Sequence, residues 1–170
     1  MLRFLVGDST LWKSIRMYAE RFQTRYPTMS DFESILAENT GRSYDWFFKQ
    51  WQQPEARLNY YVDDVEFRED DSGVAIHGRV VNGGNVFMPV ELAFVIHPGD
   101  TLIDTLSYEE FDRETGEADF SVHLRHRPRI ILVDPHHFLP DVNRNNNYWR
   151  RFGRGQFYRD MSIPIRGIRN

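Results

Sequence analysis

In Met88-Pro89-Val90-Glu91-Leu92-Ala93-Phe94-Val95-Ile96, followed by His97-Pro98-Gly99-Asp100, the large apolar side chains Met88, Val90, Leu92, Phe94 and Ile96 fall on every second residue. A period of two puts them on one face of an extended chain, and Pro98-Gly99-Asp100 closes the run, so the stretch predicts a strand. The same period extends in both directions. Upstream, Leu58, Tyr60 and Val62 alternate, then Val65 and Phe67 continue in the opposite phase, which predicts a bulge or break at Asp63-Asp64. Val74, Ile76 and Val80 alternate next, and Asn82-Gly83-Gly84-Asn85 reads as a hairpin turn. Downstream comes a looser strand from Leu102 to Phe111, a turn at Thr115-Gly116, alternation at Phe120, Val122 and Leu124, and a β-branched strand from Arg129 to Val133. About seven short strands with a turn every ten or so residues are the pattern of an antiparallel sandwich.

Before Pro54 the period is helical. Leu11, Ile15, Tyr18, Phe22 and Tyr26 recur every three or four residues and predict one helix, capped by Asp8 or Ser9 and stopped by Pro27. Ser30 with Glu33 forms a capping box for a second helix with Phe32, Ile35 and Leu36 on one side and Gly41 as its left-handed exit. Ser43 caps a short third helix carrying Trp46, Phe47, Phe48 and Trp51. The predicted fold class is α+β: a short helical segment (1-53) followed by an antiparallel Ig-like β-sandwich (57-142) and an Arg/aromatic-rich tail (143-170).

Composition narrows the functions. The 170 residues are 41% hydrophobic and 15% aromatic, enough to build a core rather than a disordered chain. No apolar run approaches the roughly 18 residues of a membrane span, and the stretch Met1-Leu2-Arg3-Phe4-Leu5-Val6 is too short for a signal peptide. The compartment is left open. Having no cysteine excludes disulfides, thiolate zinc sites and Cys nucleophiles. The net charge of −4 hides an asymmetry: Asn59 to Phe120 holds fifteen acids against three arginines, whereas Asn143 to Asn170 holds seven arginines against one acid. The simplest consequence is a tail lying back on its own acidic sandwich. Trp149, Arg150, Arg151, Arg154 and Arg159 also form the one polar stretch with recognition chemistry, since guanidinium pairs with phosphate and aromatic rings stack on bases. The acidic body argues against nucleic acid as the partner.

Catalytic motifs are absent. The six histidines form no HExxH and no convergent pair, serines lack a GxSxG elbow, and Gly83-Gly84 is not a phosphate loop. Asp141, Asn143 and Asn145 occupy the first positions of a calcium loop, but Asn146 and Phe152 stand where glycine and the bidentate glutamate belong. A turn rich in Asn accounts for this run, with weak calcium binding near Asp141 as the alternative.

Leu5-Val6-Gly7-Asp8, Tyr18, Ser30-Asp31-Phe32, Glu38, Gly41-Arg42 and Trp46-Phe47-Phe48-Lys49-Gln50-Trp51 stand in an order and spacing that resembles the gluzincin zinc aminopeptidases, the alanyl aminopeptidase-type metallopeptidases. The likeness covers residues 1 to about 52 and rests mainly on the WFFxQW cluster after Gly41-Arg42. The sandwich resembles that family's next domain in class and position. Asp134-Pro135 and Leu139-Pro140-Asp141 with the following asparagines resemble the turn that closes it in some bacterial members. In the family this pattern follows the catalytic core, so the resemblance implies a non-catalytic C-terminal module. Zinc ligands and catalytic residues belong to the preceding region, and none is carried over to a position here. Zinc is expected only in a complete parent enzyme. The implied partner is a catalytic domain, or a second copy through exposed helices, and the aromatic cluster is expected to bury between helices and sandwich. The alternative is a stand-alone binding module contacting a polyanion through its basic tail.

Overall fold

The computed structural model describes residues 1–24 and 26–150. The fold is α+β, with four α-helices, two antiparallel sheets and a small sandwich-like arrangement of strands among the described residues. The chain divides into two compact units, Met1–Ala56 and Arg57–Asn170.

The first unit is helical. Helix α1 (Leu2–Val6) gives way at Gly7, whose φ of 76° suits a residue without Cβ, to α2 (Asp8–Arg21). An ion pair between Arg3 and Asp8 spans the joint. Helix α2 stops at Arg21 rather than continuing to Tyr26. The Phe22 N–H closes the last turn on the Tyr18 carbonyl, and the Tyr18 ring meets both Phe22 and Phe32 at 5.4 Å. Helix α3 (Met29–Thr40) is opened by Thr28 and Asp31, not by Ser30 and Glu33. Thr28 follows Pro27 in an extended conformation and accepts the Asp31 N–H, while Asp31 accepts the Thr28 N–H at 2.7 Å. Gly41 leaves the helix at φ 68°. Helix α4 (Asp45–Trp51) starts after Tyr44, with the Ser43 hydroxyl accepting the Asp45 N–H at 3.3 Å.

The second unit holds β1 (Tyr60–Asp70), β2 (Gly73–Asn82), β3 (Val90–His97), β4 (Asp100–Leu106), β5 (Glu117–Leu124), β6 (Ile130–Val133) and β7 (Tyr148–Arg150). One sheet runs β1-β2-β5 and the other β4-β3-β6-β7. The β1–β2 register shifts between Asp63 and Glu66, with Asp64 at φ 52°, so the phase change in the sequence marks a bulge inside one continuous strand. Gly83-Gly84 is not a hairpin: β2 and β3 lie in different sheets, and the turn carries the chain between them. The Asn82 side chain accepts the Gly84 N–H and donates to the Val86 carbonyl, and Gly84 lies so close to the Arg57 carbonyl that a Cβ would fall 2.3 Å from it. The strand expected from Leu102 to Phe111 starts earlier and ends at Leu106. Phe111 belongs instead to a turn, where its ring stacks on Tyr60 at 5.1 Å. Buried side chains from both sheets form the core, among them Ile76 and Val80 with Leu92 and Ile131, and Phe94 meets Phe120 at 5.6 Å.

Candidate functional site

Within the helical unit, Trp46, Phe47, Phe48 and Trp51 lie on α4. Phe47 packs edge-on against Phe48 at 5.1 Å and against Trp46 at 6.0 Å, Trp51 tilts on Phe47, and Phe48 meets Phe32 of α3. The Trp51 indole N–H is buried without a partner among the described residues. Helix α2 is arranged differently from its sequence pattern. Its one buried residue is Ser14, which accepts the Asn39 amide of α3 at 2.9 Å and donates to the Thr10 carbonyl. The Arg21–Glu38 pair adds two bonds between the same helices and draws the Glu38 carboxyl below its ordinary range. With that polar seam turned toward α3, Trp12 is left 64% exposed and Ile15 39% exposed, and Met29 at the start of α3 is 52% exposed. Trp12 and Ile15 are three residues apart on one helix and so neighbour each other on its surface. Helix α1 contributes Leu2, Phe4, Leu5 and Val6, yet none of its residues is buried. Such an apolar face can do one thing chemically, which is to dock on another apolar surface.

The sandwich unit holds polar groupings that its sequence did not announce. At the β1–β2 turn the Ser72 hydroxyl donates to Asp70 at 2.6 Å, and both Ser72 Oγ and Asp70 Oδ2 lie 3.3 Å from His123 Nε2. A Ser-His-Asp relay needs serine on one ring nitrogen and carboxylate on the other, so this cluster is not one. The Ser72 hydroxyl and N–H pull the Asp70 carboxyl down to about 2. His136 Nδ1 meets Glu91 Oε2, and the ring stacks on Phe138. The other histidines stand apart: His77 lies opposite Glu66 across the strand pair, and His97 lies beside Asp100. Among the described residues no three His, Asp or Glu side chains group as metal ligands.

Two carboxylates build the loop between β6 and β7. Asp134, buried and at φ 50°, accepts the N–H groups of Phe138 and Leu139 and faces the Arg144 guanidinium at 3.3 Å; burial nevertheless pushes its carboxyl up from the ordinary range. Asp141 accepts the N–H groups of Tyr60 and Asn143 and the side-chain amide of Asn147, all within 3.0 Å. Its oxygens thus tie the loop to the start of β1. A 3-10 turn at Arg144–Asn146 then leads into β7, so Tyr148, Trp149 and Arg150 form a strand beside β6. Trp149 packs on Phe67 at 5.0 Å, and Arg127 lies 3.8 Å from the same ring. Arg151, Arg154 and Arg159 lie outside the described residues. Between β1 and β7 opens a cavity of about 710 Å³, walled by Tyr61, Trp149 and the asparagine loop.

Compared with models of known protein families, with curated proteins and with solved structures, the chain finds no match. No helix among the described residues is long and apolar enough to cross a membrane.

Proposed function

We propose that this chain is a non-catalytic structural module of a zinc aminopeptidase-like protein, docking through its helical unit on a catalytic domain. The observation that carries the reading is the apolar face of that unit. A helix that turns Ser14 inward and Trp12 with Ile15 outward is built for two neighbours, one polar and one apolar. Leaving that face in water forfeits about 25 cal/mol for each Å² of apolar surface a partner could cover. The nature of the partner is proposed from the resemblance to the zinc aminopeptidases of the run ending in Trp46-Phe47-Phe48-Lys49-Gln50-Trp51. An Ig-like type for the sandwich is supported by strand order. β1-β2-β5 against β4-β3-β6-β7 corresponds to a constant-type Ig arrangement whose fourth strand has moved to the opposite sheet.

The test has two arms. Purified chain supplied with zinc is assayed on alanyl- and leucyl-p-nitroanilide, and no turnover is expected. In the second arm, the catalytic core of a zinc aminopeptidase, expressed without its own C-terminal portion, is titrated with the chain. A complex is expected with the native chain and not with a Trp12→Glu, Ile15→Glu variant of unchanged circular dichroism. Turnover that co-elutes with the chain, or binding indifferent to both substitutions, overturns the proposal.

A further inference from the structure

The sheet β1-β2-β5 ends at β5, and the residues of that edge complement themselves. Ala118, Phe120 and Leu124 are buried on the core face, so Glu117, Asp119, Ser121 and His123 stand on the outer one. The backbone alternates too. The Asn82 N–H donates to the Gly116 carbonyl at 2.8 Å, which fixes the parity of the β2–β5 ladder. Even-numbered residues of β5 turn their backbone groups to β2, and odd-numbered ones turn theirs to the open edge. Glu117 shows this directly: its carbonyl accepts the Asp112 N–H, and its own N–H goes to the Thr115 hydroxyl. Asp119, Ser121 and His123, all exposed, present their N–H and C=O groups along the rest of the edge. The opposite side of the sandwich is the one closed by the Phe67–Trp149 contact between β1 and β7.

An edge strand that meets its own copy antiparallel about a two-fold axis must bring outward groups to outward groups. The register that uses Asp119, Ser121 and His123 together is centred on Ser121. It sets Asp119 against His123 of the second copy, Ser121 against Ser121, and His123 against Asp119. A shift in either direction sends one of them to Glu117, whose groups are taken, or to Arg125, beyond the end of β5. The same register brings Glu117 opposite Arg125 of the second copy, while on the core face Phe120 meets Val122 and Ala118 meets Leu124. Each acid thus faces a basic group and each apolar residue an apolar one, the pairs that stabilise neighbouring strands. His123 keeps Asp70 and Ser72 as neighbours within its own chain, and Asp119 keeps Arg79. The edge of the other sheet, β4, is different. Its Thr105 N–H is taken by the Asp104 side chain at 2.9 Å, and a two-fold pairing about Ile103 would set Leu102 against Asp104. We propose that β5 is a self-pairing edge, on which a second copy of this chain adds its own β5 antiparallel, with the Asp119–His123 and Glu117–Arg125 contacts fixing the register. Main-chain bonding along so short an edge covers less than a standard interface, so the dimer is one that dilution dissociates.

Sedimentation velocity of the full chain over a concentration series is expected to show a monomer–dimer equilibrium by about 1 mM, the weak end of specific association. Ser121→Pro removes an outward N–H that β2 does not use, so circular dichroism is retained and the dimer is lost. Asp119→Lys sets lysine against His123 in both symmetry-related places, and His123→Glu sets glutamate against Asp119 in both. Each variant alone is expected to dimerise about tenfold more weakly than the native chain. Mixed in equal amounts, one copy's lysine faces the other's glutamate and the native Asp119–His123 contact fills the second place, so a heterodimer is expected to recover the native affinity. The proposal is overturned if the native chain stays monomeric across the series, if the dimer survives Ser121→Pro, or if the mixture associates no more tightly than its parts. A dimer that Ser121→Pro leaves intact and the Trp12→Glu, Ile15→Glu variant dissociates belongs to the helical unit and equally overturns it.

Discussion

Tyr60→Phe is the sharpest probe of how the sandwich unit holds together. The Tyr60 side chain is fully buried, and its hydroxyl does two jobs at once: it donates to the Met88 carbonyl and accepts the Met88 N–H, each at 2.8 Å. Met88 precedes β3, outside any ladder, and has no other backbone partner among the described residues. Phenylalanine keeps the stacking on Phe111 but strands a buried donor and a buried acceptor together. At about 1–3 kcal/mol for each buried group left unpaired, offset by the easier burial of an apolar ring, the loss is about 2–4 kcal/mol. For a unit of this size each kcal/mol moves the midpoint by roughly 4–8 °C, so thermal unfolding followed by tyrosine fluorescence should shift down by about 10 °C or more. The same residue sets an alkaline limit. Burial pushes the Tyr60 phenol above its ordinary value, so between the unfolded pKa of about 10 and the higher folded one the unfolded chain loses a proton that the native one keeps. The stabilisation from a neutral buried phenol is complete below about pH 10 and declines above it, by up to about 1.4 kcal/mol per pH unit. Tyr60→Phe should therefore be less stable than the native chain at pH 7, with the gap narrowing above pH 10. A midpoint shift under about 3 °C, or a gap constant with pH, would refute the reasoning.

Phe47→Ala removes a ring that touches Phe48, Trp46 and Trp51 and should cost about 3–5 kcal/mol, seen as loss of helical circular dichroism at 222 nm; unchanged melting would count against the packing of α4. Gly41→Ala places a Cβ in open space but at φ 68°, so only backbone strain is felt, about 1 kcal/mol, and Gly41→Asn should recover part of it. Asp70 titrates at about 2 in the folded chain, below its unfolded value near 3.9, so its contribution is present above about pH 4 and is lost as the pH falls toward 2. Carbon-detected NMR of the Asp70 carboxyl should show that midpoint, and Ser72→Ala should raise it; a midpoint near 4 in the native chain would contradict the hydrogen-bond geometry.

Local rules were legible where one stretch of chain decides the outcome. The change of phase around Asp63-Asp64 marked a bulge or break, and the structure makes it a bulge, while Gly41 sat where an L side chain would be strained. The rules failed where two solutions share the same local chemistry. Asn82-Gly83-Gly84-Asn85 turns the chain equally well into a hairpin or across to a second sheet. The choice falls to the bond that the Asn59 N–H donates to the Asn82 side chain and to the close approach of Gly84 to Arg57, both long-range. The stripe from Leu11 to Phe22 named the apolar side of α2 without saying what covers it. In the structure α3 takes the side that carries Ser14 and Tyr18, through Asn39 and Phe32, and leaves Trp12 and Ile15 outside. Thr28 displaced Ser30 as the cap for a similar reason: with Pro27 holding its approach extended, the first residue free to turn is Thr28.

The candidate cavity shows the deeper limit. Its aromatic and asparagine residues are conspicuous in the sequence, yet Asn145 to Trp149 lie at the far end of the second unit from Tyr61 in chain order. What brings them together is a set of long-range contacts that starts with one carboxylate. Asp141 ties the loop to the first residue of β1 by accepting the Tyr60 N–H at 2.8 Å, and the Asn146 amide reaches Asn59, 87 residues away, as a second tie. Closing so long a loop costs chain entropy that two hydrogen bonds alone do not offset, and the contact survives because the β6–β7 pairing and the Phe67–Trp149 contact close the same edge. Asp141 accepts donors from the start of β1, from the loop backbone and from Asn147, so the run of asparagines is braced at both ends before it enters β7.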